Sequence, residues 1–168
     1  MSGENPTFID TFTTLFRRFM AEEIQTSFIG EIIKYENQKA EVKPLIERQY
    51  KDGSKLQFSN VSNVPVLMPG TSECLVKLPI KKGDNVLCIC TKASMDSWLA
   101  GGTTTIQSIP RQFNMSDAIA IPGMVNISDG SIGSDNDDFE IIYNDASIVI
   151  EESGTVNINN GNLTIENG

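Results

Sequence analysis

The fold of this chain is indicated most clearly by residues 27–42, SFIGEIIKYENQKAEV. Apolar and polar residues alternate on both sides of the polar turn Glu36-Asn37-Gln38. Alternation with a period of two is typical of β-strands that bury one face. The stretch therefore predicts two strands joined by a short turn.

The whole region from residue 26 to residue 91 continues in the same manner. VSNVPVLMPG (residues 61–70) and CLVKLPIKKGDNVLCIC (residues 74–90) are rich in Val, Ile and Leu and are interrupted by Pro and Gly-Asp turns. Five short strands, with a longer excursion over residues 49–60, predict a small closed Greek-key barrel. An OB-fold is the leading candidate, and a β-sandwich, which usually has more strands, is the alternative.

Two further motifs complete this predicted domain. SMDSWLAGG (residues 94–102) predicts a short helical turn that ends at Gly101-Gly102. RQFNMSDAIAIPG (residues 111–123) returns to apolar alternation and stops at Pro122-Gly123. We expect the OB-fold domain to occupy residues 26–125.

An amphipathic helix is predicted in the N-terminal segment, residues 1–25, because apolar residues recur there at steps of three and four. The helix either packs on its own domain or docks in the groove of a partner. A membrane-surface helix is less favoured, since acidic residues offset Arg17 and Arg18. The stripe expected to dock on a hub protein or a neighbouring chain consists of Phe8, Phe12, Leu15, Phe16 and Phe19.

The C-terminal part of the chain has a different composition. Residues 126–138 are rich in Gly, Ser and Asp and predict an acidic linker. In residues 139–168, apolar pairs recur every seven to nine positions. Repeats this short favour a β-solenoid or an intertwined β-helix.

The C-terminal segment has too few apolar residues to be stable alone. Ordering the backbone of one residue costs about 1–2 kcal/mol, and fully burying one aliphatic side chain returns about 1.5–3 kcal/mol. Fewer than half of the positions are apolar, so burial at best balances the cost. Three copies wound about one axis bury these residues, and symmetric self-association is the simplest source of partners. The predicted axial residues are Ile148, Ile150, Val156, Ile158, Leu163 and Ile165.

The charge of the chain argues against nucleic-acid binding. The formal net charge is -9, whereas proteins that bind nucleic acids usually carry a basic patch. A single-stranded nucleic-acid-binding OB-fold is nevertheless the alternative function to consider. It would rest on a few lysines, namely Lys51, Lys55, Lys77, Lys81 and Lys82.

The sequence offers little for catalysis or for binding a metal. It contains no histidine, the commonest general base and metal ligand. Cys74, Cys88 and Cys90 lie in apolar, strand-like runs without the paired spacing of a zinc site, which indicates reduced, buried thiols. The run Asp135 to Asp138 lacks the spacing of a calcium loop. We predict no catalytic, cofactor-binding or metal-binding residues and no enzymatic activity.

Three segments of the chain resemble a known family. VSNVPVLMPG, LPIKKGDNVLCICTKASMDSWLAGG and RQFNMSDAIAIPG are similar to the N-terminal domain of central spike proteins from contractile phage tails, of the membrane-puncturing, baseplate-assembly V type. The resemblance covers roughly Phe28 to Gly123. It implies an OB-fold followed by a trimeric β-helix, in a homotrimer that sits below a hub ring and is driven forward when the sheath contracts.

The resemblance also implies partners and a location. The partners are two further copies of the chain, a baseplate hub protein and the target cell envelope. The acidic charge adds the expectation that nucleic acid is not a partner. The location is the tail baseplate of a virion or related particle, assembled in the cytoplasm of the bacterial host.

The chain departs from the resembled family at two places. Phe113 stands where family members often have His, and the histidines that hold iron at some spike tips are missing. We therefore expect no metal-capped tip, and an end that either frays or is covered by a separate tip protein. The predicted fold class is mainly β, with an N-terminal helix, an OB-fold barrel and a short trimeric intertwined β-helix over residues 139–168.

Overall fold

A computed structural model of the protein describes residues 7–50, 52–104, 111–126 and 137–161. The chain divides into two compact units, Met1–Met124 and Val125–Gly168. Within the described ranges, no helix is long and apolar enough to span a membrane.

The first unit begins with the helix α1 (Phe8–Glu23), which confirms the predicted N-terminal helix. Thr7 caps its first turn. The Thr7 hydroxyl accepts a hydrogen bond from the Asp10 backbone N–H at 3.3 Å, and the Asp10 carboxylate accepts one from the Thr7 N–H at 3.1 Å. This reciprocal capping box satisfies backbone donors that a helix start otherwise leaves unpaired. It therefore fixes the position at which the helix begins.

Seven strands follow in the first unit, and five of them form one antiparallel sheet in the order β5-β2-β1-β6-β7. The tight turn between the first two strands uses Asn37 and Gln38, both with positive φ, at the position that the sequence predicted. The strands are β1 (Ser27–Glu36), β2 (Lys39–Pro44), β3 (Glu47–Gln49), β4 (Lys55–Gln57), β5 (Val61–Pro65), β6 (Asn85–Cys90) and β7 (Ala118–Pro122).

The five-stranded sheet curls into a half-barrel. Its two edges meet at an isolated parallel bridge between Val66 and Ala120, where the Leu67 N–H donates to the Ala120 carbonyl at 2.8 Å. The concave side of the sheet holds the core. Its buried residues are Phe28, Ile32, Ala40, Val42, Val61, Val64, Val66, Val86, Cys88, Cys90, Ala118 and Ala120.

The excursion predicted for residues 49–60 has structure of its own. The strands β3 and β4 form a small hairpin in which Glu47 pairs with Gln57. Further along the chain, α2 (Asp96–Leu99) is the predicted helical turn, and Gly101, with a φ of 95°, follows its end. A positive φ favours glycine there, because other residues pay a steric penalty.

The second unit is a three-stranded antiparallel meander in the order β10-β9-β8. Its strands are β8 (Phe139–Tyr143), β9 (Ala146–Ile150) and β10 (Val156–Ile158). Among the residues that the structure describes, these strands pair only with one another, so the intertwined β-helix, which needs neighbouring chains, stays a prediction. Leu163 and Ile165 lie outside the described residues, as do residues 127–136 of the predicted linker.

Candidate functional site: exposed apolar faces

The register of the meander places its apolar residues on one face. Ile148 lies opposite Ile141 on one side and opposite Ile158 on the other. Directly paired residues of neighbouring strands project to the same side of a sheet, as do residues two apart on one strand. This surface, here called the meander face, consists of Phe139, Ile141, Tyr143, Ala146, Ile148, Ile150, Val156 and Ile158.

Burial in the meander is the reverse of what a sheet with one packed face shows. Phe139 is 59% exposed and Ile141 is 55% exposed, both on the meander face. On the opposite face, Glu140 and Val149 are partly buried. Contiguous exposed apolar surface of this kind is typical of interaction sites.

The side of the meander opposite the meander face carries two hydrogen bonds that involve polar side chains. The Asn157 side-chain amide donates to Glu151 Oε1 at 2.5 Å, and the Ser147 N–H donates to Asn159 Oδ1 at 2.9 Å. These bonds connect β10 and the residue that follows it to β9 and the residue that follows it. The other side, the meander face, is mainly apolar and is largely exposed in the single chain.

The structure brings together four of the six predicted axial residues. Ile148, Ile150, Val156 and Ile158 all lie on the meander face. The sequence reasoning missed three members of this face, in strand β8, because Ile142 on the opposite side is also apolar and hides the alternation. Those members are Phe139, Ile141 and Tyr143.

The apolar stripe of α1 is a second exposed surface. Each of its five residues is more than half exposed, and Phe8 reaches 84%. The aromatic rings run along the helix in a row, with centroids 6.3 Å apart for Phe8 and Phe12 and 6.4 Å apart for Phe12 and Phe16. The stripe is therefore not buried by its own domain, which was one of the two interpretations of this helix.

An ion-pair cluster centred on Arg111 fastens two segments of the barrel. Asp117, only 2% exposed, accepts hydrogen bonds from Arg111 Nε at 2.6 Å and from Arg111 Nη2 at 2.8 Å. The same Nη2 also donates to Asp96 at 2.9 Å and to the Ser94 hydroxyl at 2.9 Å. The cluster thus ties the start of α2 to the turn before β7.

The cluster also shifts the pKa values of its members. The hydrogen bond from Ser94, and then that from Arg111, lower the pKa of Asp96 below its ordinary value. The hydrogen bonds to Asp117, and then those to Asp96, raise the pKa of Arg111. Both shifts favour the charged forms of Asp96 and Arg111, as expected for groups joined by charge-assisted hydrogen bonds.

Two of the three cysteines are buried, as the sequence predicted. Cys88 and Cys90 are free thiols on the inward face of β6. Burial raises the pKa of Cys88 to about 12 and the pKa of Cys90 to about 11, so both stay protonated at neutral pH. The expectation for Cys74 was wrong, because this free thiol is exposed and lies outside the strands.

The lysines considered for nucleic-acid binding include one that is paired with an acidic residue. Lys55 forms an ion pair with Glu47 at 2.8 Å, and Lys51 lies outside the described residues. In the described part of the chain, no group of three His, Cys, Asp or Glu residues is placed to hold a metal ion.

The fold defines a mainly β protein with one N-terminal helix and a curled half-barrel sheet. The chain belongs to the family of the phage protein Gp138 N-terminal domain, whose sequence model matches residues 29–123. The match supports a bacteriophage structural protein. It spans the half-barrel from β1 to β7 and leaves α1 and the meander outside. No curated protein matches the chain.

Proposed function

We propose that this chain is the homotrimeric central spike at the tip of a contractile tail or a related injection machine. The spike links a baseplate hub to the end that pierces the envelope. It is assembled in the cytoplasm of the bacterial host and becomes part of the tail baseplate. Its role is mechanical rather than enzymatic, and it uses neither a cofactor nor a nucleic-acid partner.

The meander face is the observation that carries this proposal. Fully burying each of its large aliphatic or aromatic side chains contributes about 1.5–3 kcal/mol, and a single chain leaves Phe139 and Ile141 more than half exposed. Three copies around one axis cover one another's meander faces. The same arrangement protects β8 and β10, the outer strands of the described meander, because outer strands otherwise invite uncontrolled pairing.

The barrel supports the proposal through its strand order. Read around the curl, the order is β1-β2-β5-β7-β6, with the parallel contact at Val66 and Ala120 between the two edges. This arrangement supports the assignment of the half-barrel as an OB-fold, the domain that the resemblance to central spikes implies. Membership of the phage family over residues 29–123 is consistent with a location in the virion.

A matched pair of substitutions tests the trimer. Ile141 and Ile142 are neighbours on β8, are 55% and 56% exposed, and project to opposite faces. Ile141→Asp places three like charges around a narrow axis, and each unpaired buried charge costs several kcal/mol. We expect Ile141→Asp to dissociate the trimer, as measured by native mass spectrometry, and Ile142→Asp to leave it intact. A trimer that survives Ile141→Asp contradicts the proposed interface.

Labelling of intact particles tests the location. Antibody raised against the chain, visualised by gold in negative-stain images, should mark the distal end of the tail. Particles disrupted to expose the hub should be marked at the same end. Label on the capsid, or along the full length of the tail, contradicts the proposal.

A further inference from the structure

We propose that the N-terminal helices of three copies pack against one another as a short parallel three-helix coiled coil. The inference rests on the homotrimer proposed above and adds to it a second interface, built from α1 and lying outside the matched residues 29–123. The partner of each helix is thus a second copy of this chain.

The first argument is the heptad spacing of the apolar stripe. Phe8, Phe12, Leu15 and Phe19 follow one another at steps of four, three and four, which is the d-a-d-a register of a coiled-coil seam. In this register Asp10 and Arg17 both occupy f positions, farthest from the seam. The a and d positions from Phe8 to Phe19, which form the seam, contain no charged residue.

The width of the apolar face favours more than two helices. Ile9 and Phe16 occupy the e positions beside the seam, and both are more than half exposed. A two-stranded coiled coil has a narrow a and d seam, whereas apolar residues beside it form the wider face of a bundle. The ring contact between Phe12 and Phe16 extends this face sideways.

The connection between α1 and the barrel fixes the point at which the helix leaves the domain. Its C-cap, Ile24, is extended, with a φ of −99° and a ψ of 108°. The next two residues are tied to the barrel, since the Gln25 N–H donates to the Phe113 carbonyl and the Cys90 N–H donates to the Thr26 carbonyl, both at 2.9 Å. This short, anchored connection holds the helix at a fixed exit point.

Three-fold symmetry identifies the partner of each α1 helix as the same helix of the other two copies. In a three-fold assembly, three identical helices leave three barrels at equivalent points and run parallel. Such tethering raises the effective concentration of each helix for its neighbours into the range of about 1 mM. A 16-residue helix is marginal in water without packing, so each helix is stabilised by the two beside it.

Site-specific disulfide formation tests this inference in the full-length chain. Cys74→Ser removes the exposed thiol, and Cys88 and Cys90 are buried. Leu15→Cys then places a thiol in the seam, and Thr14→Cys places one at the adjacent c position as the matched control. On mild oxidation we expect Leu15→Cys to form interchain dimers about tenfold or more faster than Thr14→Cys, because seam thiols share a high effective concentration.

Mass measurement beside the oxidation separates the two claims. A trimer with selective cross-linking at position 15 supports the coiled coil. A trimer in which positions 14 and 15 react alike overturns it, leaves the trimeric spike standing and assigns the helix to another protein. A monomeric parent chain overturns both. Phe8→Cys, at the preceding d position, repeats the test should Leu15→Cys alter the trimer mass.

Discussion

Arg111 donates two parallel hydrogen bonds to the buried Asp117, at 2.6 Å from Nε and at 2.8 Å from Nη2. Bidentate pairing of this kind is among the stronger polar interactions in proteins. Its remaining contacts, to Ser94 and Asp96, extend the pairing to the segment around α2. A single side chain therefore holds together two segments that lie apart along the chain.

Arg111→Ala should destabilise the barrel by about 3 kcal/mol, because it leaves the buried Asp117 carboxylate without its partner. Lys55→Ala is the control, since it removes an exposed surface ion pair with Glu47, and exposed ion pairs contribute little to stability. Urea denaturation followed by intrinsic fluorescence measures both variants. Equal, small effects of the two substitutions would show that the Arg111 ion-pair cluster stabilises the barrel no more than a surface ion pair does.

Gly30 permits close packing inside the half-barrel. A Cβ atom at this position would collide with Cγ1 of the fully buried Val42 and lie 3.3 Å from the Lys43 carbonyl oxygen. Gly30→Ala should therefore cost about 1–3 kcal/mol of stability through overpacking. Ser27→Ala, at an exposed position of the same strand, should change the free energy of unfolding by about 0.5 kcal/mol or less. Thermal unfolding of both variants gives the comparison.

The cysteines should differ sharply in reactivity. At pH 8.5 the folded protein should react with iodoacetamide rapidly at Cys74 alone, since burial holds the pKa of Cys88 near 12 and that of Cys90 near 11. In denaturant all three thiols should react. Mass spectrometry counts the added groups, and fast labelling of Cys88 in the native state is the contrary result.

The same pKa shifts predict the direction of a pH effect on stability. In the unfolded chain these thiols ionise near the ordinary value of 9.0, while in the folded state they stay protonated to higher pH. The unfolded state therefore binds fewer protons above about pH 9, and the free energy of unfolding falls as the pH rises from there. The variant Cys88→Ala with Cys90→Ala should show a shallower alkaline loss of stability.

Ile158→Asp should loosen the second unit without unfolding the first. The substitution places a carboxylate on the meander face next to Ile148, where the proposed trimer buries it at a cost of several kcal/mol. Limited proteolysis should then cleave within residues 139–161, while the core around Val86 stays resistant. Unchanged protection of this segment would rule out Ile158 as an axial residue.

The sequence was sufficient where local chemistry determines the structure. Asn37 and Gln38 adopt positive φ at the predicted turn, and the cap at Thr7 precedes the predicted helix. In both places the residue types themselves favour the backbone conformation. The strands around the turn followed from alternation, because only one of their faces is buried.

Other features depended on information that a linear pattern does not carry. The β3–β4 hairpin pairs polar segments, ERQ with KLQ, so no apolar period marks it. The Arg111–Asp117 pair joins a residue outside the helices and strands to the short 3-10 helix Met115–Asp117, and a spacing of six residues predicts no contact. The full extent of the meander face followed only from strand register, which placed Phe139 beside Ile150.

The mass of the purified chain in solution shows whether the protein is a trimer. Sedimentation equilibrium at micromolar concentration should give three times the 18.4 kDa of one chain, because the meander face of each copy needs two others to bury it. A mass of 18.4 kDa at the same concentration would contradict the trimeric spike.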